Sequence, residues 1–439
     1  MFKTLRDAFR IKDLRKKLLY TFMMLVVVRF GSELPIPGVN TSYFADFFAK
    51  QSGDAFGFFN AMTGGSFSSM SLFALSITPY ITSSIIMQLL TYALPPLERM
   101  RDEGEEGQKK LNKITAAVSL ALSVFMSFAY YLTLKNQMNA VVDGGSKAAN
   151  VFIAFVIILS FIAGTSIVVW MGNQINDKGI GNGISMLLFA GILARFPVMA
   201  GTLGELTKNE PQRYFFESLG ILVLFIAMIA FIVFMNASER RIPIQYAKRV
   251  VGRKQYGGQS THIPVKVCMS GVMPIIFAMS FMSLPSTISL FKPVYTDPTG
   301  FWQKFYNGFI NFFNTRTWTY ALIYFILIIA FNYFYVSMQY NPIEIANNLR
   351  QSNGGIPGIR PGKPTSDYIQ RVLSKITLVG AFFLGIIAIF PIALNWMDPN
   401  LSSLAMGGTT ILIVVSVALE TVRTLESEMM MRHHKGFLE

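Results

Sequence analysis

Ten runs of about 20 mostly apolar residues recur along the 439-residue chain, and this recurrence limits the folds open to it. An α-helix rises about 1.5 Å per residue, so such a run covers the roughly 30 Å of hydrocarbon in a bilayer. The runs lie approximately at 18–36, 72–93, 114–134, 150–172, 184–202, 215–235, 268–291, 318–339, 375–396 and 404–422. With 52% hydrophobic and 14% charged residues, the chain has more apolar surface than one soluble core could bury. The expected fold is therefore all-α: a polytopic membrane protein of ten transmembrane helices. An even number of spans puts both termini on one side.

Lys and Arg identify that side, because cytoplasmic loops are enriched in them. Of the 38 such residues, 28 fall in the N-terminal segment 1–17, in the loops after even-numbered spans and in the tail 423–439. Only eight fall in the opposite loops, and Arg29 and Arg195 lie inside spans. Both termini are expected in the cytoplasm. The net charge of +14 is thus concentrated on one face, through topology or for an acidic partner such as RNA, anionic lipid or protein. No small-residue cleavage site follows the basic N-terminus, which argues against a signal peptide. A single cysteine, Cys268, excludes internal disulfides, and His262, His433 and His434 make no metal cluster.

The two long cytoplasmic interruptions are 236–267 and 340–374. The first alternates β-branched, aromatic and basic residues and predicts a protruding hairpin about Gly257–Gly258. The second predicts a short helix followed by a Gly/Pro track unable to form helix or central strand. On the other face, residues 56–70 are apolar but too short to span and are broken at Gly64–Gly65. They form either an exterior loop or a segment folded back into a protein-lined funnel.

Motifs for chemistry fail on inspection. GGIPGIRPGKPT lacks the first glycine and the hydroxyl residue of a phosphate loop, and its prolines remove amide donors. GIGNGIS follows no strand, and neither G-x-S-x-G nor H-E-x-x-H occurs. Titratable groups are nearly absent from mid-span, unlike the usual pattern of an ion-coupled transporter. The second run, FALSITPYITSSIIMQLL, is nonetheless rich in hydroxyls. Ile77, Ile81, Ser84 and Gln88 fall on one helical stripe, while Thr82, Ser83 and carbonyls freed opposite Pro79 need protein or water partners. A pore, a solute transporter, a membrane enzyme and a scaffold all remain compatible with composition alone.

Particular segments narrow the choice. PIPG, MTGGSFSSMSLFALSITPYITSSIIMQLL, EGEEGQKKLNKIT, DKGIGNGIS, YAKRVVGRKQYGGQSTHIPVKV, NPIEIANNLRQSNGGIPGIRPGKPT and GGTTILIVVSVALETV occur in this order. Through them the chain resembles, essentially end to end, the SecY family of bacterial protein-translocase channels. Ser76 departs from the family's usual Gly, Leu188 from a frequent Ile, and the tail is short.

The resemblance implies two pseudo-symmetric five-helix halves, 18–202 and 215–422, closing like a clamshell around a pore. It implies a constriction ring of Ile77, Ile81, Ile184, Leu188, Ile276 and Ile413. A plug at about 56–70 would center on Phe58, Phe59, Asn60, Ala61, Met62, Thr63, Gly64, Gly65 and Ser66. Ser83, Ser84 and Gln88 would border a lateral gate, and Arg253, Lys254 and Arg360 would contact a motor or ribosome. The implied partners are the SecE and SecG subunits, the SecA ATPase, the ribosome, unfolded preproteins and the lipid bilayer. The implied location is the bacterial plasma membrane, and no enzyme activity, cofactor or metal is expected.

Overall fold

The computed structural model describes residues 2–40, 65–66, 69–136, 140–142, 145–197, 201, 211–246, 249–251, 254–256, 260–282, 285, 288, 300–313, 317–397 and 408–435. The helices are α1 (Phe2–Arg10), α2 (Lys12–Ser32), α3 (Thr78–Ala93), α4 (Pro95–Asp102), α5 (Glu105–Asn136), α6 (Lys147–Lys178) and α7 (Gly183–Leu193). There follow α8 (Pro211–Ala237), α9 (Met273–Met282), α10 (Phe301–Phe312), α11 (Trp318–Gln339), α12 (Pro342–Gln351), α13 (Lys363–Met397) and α14 (Gly408–Lys435). Each of the ten predicted runs overlaps one of these helices. Among the described residues, Glu105–Lys135, Lys147–Lys178, Trp318–Gln351 and Lys363–Ala393 are long and apolar enough to cross a bilayer by length and composition.

Helices α3, α7 and α9 begin later or end sooner than their apolar runs. Residues 71–77 make turns, and α3 starts only at Thr78. Ser76 has φ +47°, a left-handed conformation in which glycine, the residue the family resemblance leads one to expect there, is cheaper. Pro79 sits in the first helical turn. Carbonyls freed opposite it are expected from the sequence, but in a first turn its missing N–H leaves no helical bond unmade. Asn182 starts α7 by accepting from the amides of Ile184 and Ser185 at 3.1 and 3.3 Å. Gly271, at φ +60°, precedes α9.

Burial is arranged inside-out. In α2, Leu19, Phe22, Val26 and Phe30 are exposed while Thr21, Met24 and Val28 are buried, as expected where lipid is the outer solvent. One core gathers Leu134, Ile157 and Phe161 from the N-terminal helices with Ile36, Met70 and Leu75 from the connection between α2 and α3. Another gathers Ile232, Ile275, Tyr324, Ile328, Leu384 and Ile387 from the C-terminal ones. Within the second group, the Ser270 hydroxyl donates to Asn332 Oδ1, whose Nδ2 donates to the Thr377 carbonyl at 2.9 Å. The two groups are also clasped beside their cytoplasm-predicted ends. Lys17 pairs with Glu428 at 2.9 Å over a cluster of Ala8, Leu14, Ile180 and Leu425.

The strands are β1 (Glu239–Tyr246), β2 (Arg249–Val251), β3 (Lys254–Tyr256), β4 (Ser260–Lys266) and β5 (Gly354–Gly355). They form a β4-β1-β5 sheet and a separate β2-β3 pair. The predicted hairpin is thus two nested ones. In the inner one Val251 pairs with Lys254, and the predicted turn at Gly257–Gly258 lies outside the described residues. Ile242 and Ile244 point into a core with Val265, Val336, Leu349 and Ile369, seating the sheet against α11, α12 and α13. The Gly/Pro track supplies the edge strand β5, consistent with its exclusion from a central position.

Close helix approach depends on absent side chains. A Cβ on Gly164 of α6 would collide with the backbone carbonyl of Leu72, which cannot swing away as a side-chain tip could. Gly164→Ala should therefore lower the unfolding free energy in detergent by about 1–3 kcal/mol. Wild-type stability in that variant would contradict this packing.

Candidate functional site

The six predicted ring positions lie on four helices and in the turn that leads into the first of them. Ile77 caps α3, Ile81 lies in its first turn, Ile184 and Leu188 are on α7, Ile276 is on α9 and Ile413 is on α14. Ile77, Leu188 and Ile413 are 1%, 5% and 2% exposed; Ile81, Ile184 and Ile276 are half-buried. Ile77, Ile81 and Ile184 belong to one aliphatic cluster with Phe73, Val168 and Leu187. Ile81 also packs against a second cluster of Leu188, Ile192, Ile413 and Val417, joined by Val272. Five of the six are thereby gathered around Ile81. Ile276 falls in neither cluster; Val272, whose carbonyl accepts its amide at 3.2 Å, reaches the second cluster from a turn earlier.

Sequence reasoning missed Val272, Ile192 and Val417. Each lies four residues from a ring candidate, the spacing of one helical stripe for Ile192 and Val417, while Val272 stands in the turn just before α9. The second cluster joins α7 to α14, and therefore the N-terminal helices to the C-terminal ones. Thr421 adds to this seam by donating to the Met186 sulfur at 3.5 Å.

Of the plug candidates, Phe58, Phe59, Asn60, Ala61, Met62, Thr63 and Gly64 lie outside the described residues. Gly65 has φ +92°, and Ser66 is buried. The Ser66 carbonyl accepts from both the amide and the hydroxyl of Ser71 at 3.1 Å. Ser71 in turn makes an isolated antiparallel bridge with Pro35, so this end of the segment is pinned to the exit of α2.

The gate candidates separate. The Ser83 hydroxyl is fully buried and donates to the Thr115 carbonyl at 2.6 Å, joining α3 to α5. Gln88 Nε2 donates to the Ser84 hydroxyl at 3.4 Å within α3. Contact with the C-terminal helices is made further along, where Tyr92 and Phe334 of α11 meet edge-to-face with ring centroids 5.7 Å apart. Helix α3 also touches α9.

Arg360 is exposed on the turn before α13, with Gly358 and Gly362 at φ +79° and +104° on either side. Its carbonyl accepts from the Thr365 hydroxyl at 2.9 Å, while Ile356 anchors the loop in the sheet core. Lys254 opens β3, and Arg253 lies outside the described residues. At the sheet's base, burial and then the Arg423 guanidinium lower the Lys266 ammonium below its ordinary value, with Glu239 and Glu420 opposing them. No group of three or more His, Cys, Asp or Glu side chains fit to hold a metal occurs among the described residues.

A family model described as SecY matches residues 71–422. The chain belongs to the SecY family. The protein translocase subunit SecY of Streptomyces scabiei is 39% identical over 442 residues, covering 98% of each chain. The corresponding subunit of Thermotoga maritima is 39% identical over 448 residues, covering all of this chain and 98% of the other. Among solved structures, a protein-conducting channel superposes with a TM-score of 0.59 at 17% identity, covering 94% of this chain and 92% of that one. Sec61 in a canine ribosome-channel complex gives 0.55 at 16%, with the same coverage. The SecY assignment makes the chain a multi-pass membrane protein and a non-enzymatic translocase subunit.

If Leu188 and Ile413 share one packed seam, their truncations should interact. Leu188→Ala and Ile413→Ala should each cost about 2–5 kcal/mol, with a coupling of at least about 0.5 kcal/mol in a double-mutant cycle in detergent. Strict additivity would show that they do not pack together.

Proposed function

We infer that the chain is a protein-conducting channel that passes unfolded secretory proteins and releases apolar segments sideways into the bilayer. The observation that carries this reading is the aliphatic seam at Ile81, Leu188 and Ile413, which joins the two helix groups without a titratable side chain among its members. A path for chains of any sequence cannot rely on specific binding groups. Narrow aliphatic constrictions suit it: they dewet when empty and form a deformable, weakly adhering gasket when filled.

In this reading, ten spans form two pseudo-symmetric halves in the bacterial plasma membrane, with both termini cytoplasmic. Ile77, Ile81, Ile184, Leu188, Ile276 and Ile413 form the ring, and Val272 extends it. Residues 56–70 plug the exterior funnel. The pinning of Ser66 and Ser71 to Pro35 supports a hinge at the end of that segment. A solved SecY relative is described as having a plug domain that stabilizes its closed state and maintains the membrane seal.

Ser83, Ser84 and Gln88 line the N-terminal side of the lateral gate. Tyr92 against Phe334 supports a latch across it, a contact of a kind worth about 0.5–1.5 kcal/mol. Once the gate opens, sorting needs no motor. Twelve leucines at about −0.5 kcal/mol each favor the bilayer by roughly 6 kcal/mol. A polar chain gains nothing by crossing and needs an external pusher.

That pusher is the SecA ATPase or the ribosome, docking at Arg253, Lys254 and Arg360, with SecE and SecG as companion subunits. Pro357 and Pro361 stiffen the turn carrying exposed Arg360, so presenting the guanidinium costs little ordering entropy. The Sec61 relative was solved in complex with a ribosome, which supports a docking face of this kind.

Two measurements test the reading. Ile81→Gly combined with deletion of residues 58–66 should raise ion conductance of the resting channel in planar bilayers well above wild type. Unchanged conductance would count against the gasket. Arg360→Glu should impair SecA-driven secretion severely while leaving membrane insertion of the chain itself intact; normal secretion would refute the docking role.

A further inference from the structure

Helix α10, FWQKFYNGFINF, connects the segment after α9 to α11. At 100° per residue, Phe301, Trp302, Phe305, Phe309 and Phe312 fall on one arc. Gln303, Lys304, Asn307 and Asn311 fall on the opposite one. A helix so divided ordinarily buries its apolar side, yet none of its residues is buried. Trp302 is 78% exposed, Phe301 77% and Phe305 60%. Their rings meet edge-to-face at 6.0 and 6.3 Å, forming a contiguous aromatic surface.

The helix is held at a defined depth. The Thr319 hydroxyl donates to the Phe312 carbonyl at 3.1 Å and the Thr317 hydroxyl to the Asn311 carbonyl at 3.4 Å. The next residue, Phe313, packs against the core that contains Tyr320 and Tyr324 of α11. At the other end of α11, Val336 packs with Ile242 and Ile244 of the sheet. Thus α10 lies at the end of α11 away from the sheet, beside its first turn. There Trp318, Leu322 and Ile326 form an exposed stripe four residues apart, the side of a membrane helix that faces lipid.

We propose that α10 is an interfacial anchor, lying in the plane of the bilayer with its aromatic arc at the headgroup–acyl boundary of the leaflet opposite the sheet. Aromatic rings favor that boundary, and an amphipathic helix beside a lipid-facing stripe can submerge one side there while its amides stay in water. Lys304, on the polar arc, would sit at the level of the lipid phosphates. Because α10 lies on the connection between α9 and α11, the anchor would fix the depth of that connection. The inference rests on the chain being a membrane protein and is independent of what passes through it.

The test uses the full chain with Trp302 as its one tryptophan, through Trp170→Phe, Trp318→Phe and Trp396→Phe. It is reconstituted into phosphatidylcholine–phosphatidylglycerol vesicles whose acyl chains are brominated either near the headgroup or near the bilayer center. Shallow bromines should quench Trp302 emission about twofold or more, and deep bromines less, as expected for an interfacial ring. Absence of quenching by either lipid would overturn the anchor: acrylamide quenching would then mean that the face meets water, and acrylamide protection that it is covered by protein. Should the triple variant fail to fold, a spin label at Phe305→Cys in a Cys268→Ser background gives the same answer. Greater accessibility to oxygen than to a water-soluble nickel chelate supports the anchor, and the reverse overturns it. Preprotein translocation measured on the same vesicles reports on the channel separately, so its loss with quenching intact leaves the anchor standing.

Discussion

The contact on which the rest of the structure depends is the dry meeting of Ile81, Leu188 and Ile413. Ile81 belongs to both aliphatic clusters, one built on the N-terminal helices and the other shared with α14. The aliphatic contact itself is held by nondirectional dispersion and exclusion of water, so it can open and re-form without leaving a charge unpaired; the Thr421 hydroxyl to Met186 sulfur contact lies beside it. Other directional ties stand elsewhere. Ser83 is committed to α5, Asn332 to Ser270 and Thr377, and Lys17 to Glu428. Ser83 and Asn332 brace each group from within, whereas the Lys17–Glu428 pair and the apolar line both join one group to the other.

The short helices serve that arrangement. α3, α7 and α9 are shorter than their apolar runs and carry four of the six ring candidates, with Ile77 capping the first. A helix that starts late leaves backbone at membrane depth, tolerable only where protein or a water-filled cavity surrounds it. Turns at 71–77 meet this condition by packing between α2 and α6, where Gly164 leaves room for the Leu72 carbonyl. The left-handed Ser76 shows the strain that this route imposes.

Much of this was legible in the sequence because bilayer thickness and helical rise set one length scale, which the apolar runs carry directly. The β-hairpin region was visible in its alternating Ile242 and Ile244, and the Gly/Pro track was read as neither helix nor central strand, without the short edge strand β5 being foreseen. The helix starts were less legible. Pro79 marks a first turn here, but proline alone does not distinguish a first turn from a kink. The inner β2-β3 pair was hidden because Gly257–Gly258 is the stronger turn signal. Val272 escaped because the family resemblance points to Ile276, four residues later, while it is Val272 that packs against the second cluster. The amphipathic division of α10 was plain in its residues, but only exposure showed that its aromatic side has no protein cover among the described residues.

The central claim is that translocating polypeptide runs past Ile81, Leu188 and Ile413 rather than along any other face. Site-specific photo-cross-linking to a stalled preprotein tests it most directly, with probes at 81, 188 and 413 compared with probes at the exposed positions Phe22 and Phe152. Strong adducts from the first three and little or none from the last two are predicted. Adducts to lipid alone at 81, 188 and 413, or preprotein adducts as strong at 22 and 152, would contradict it.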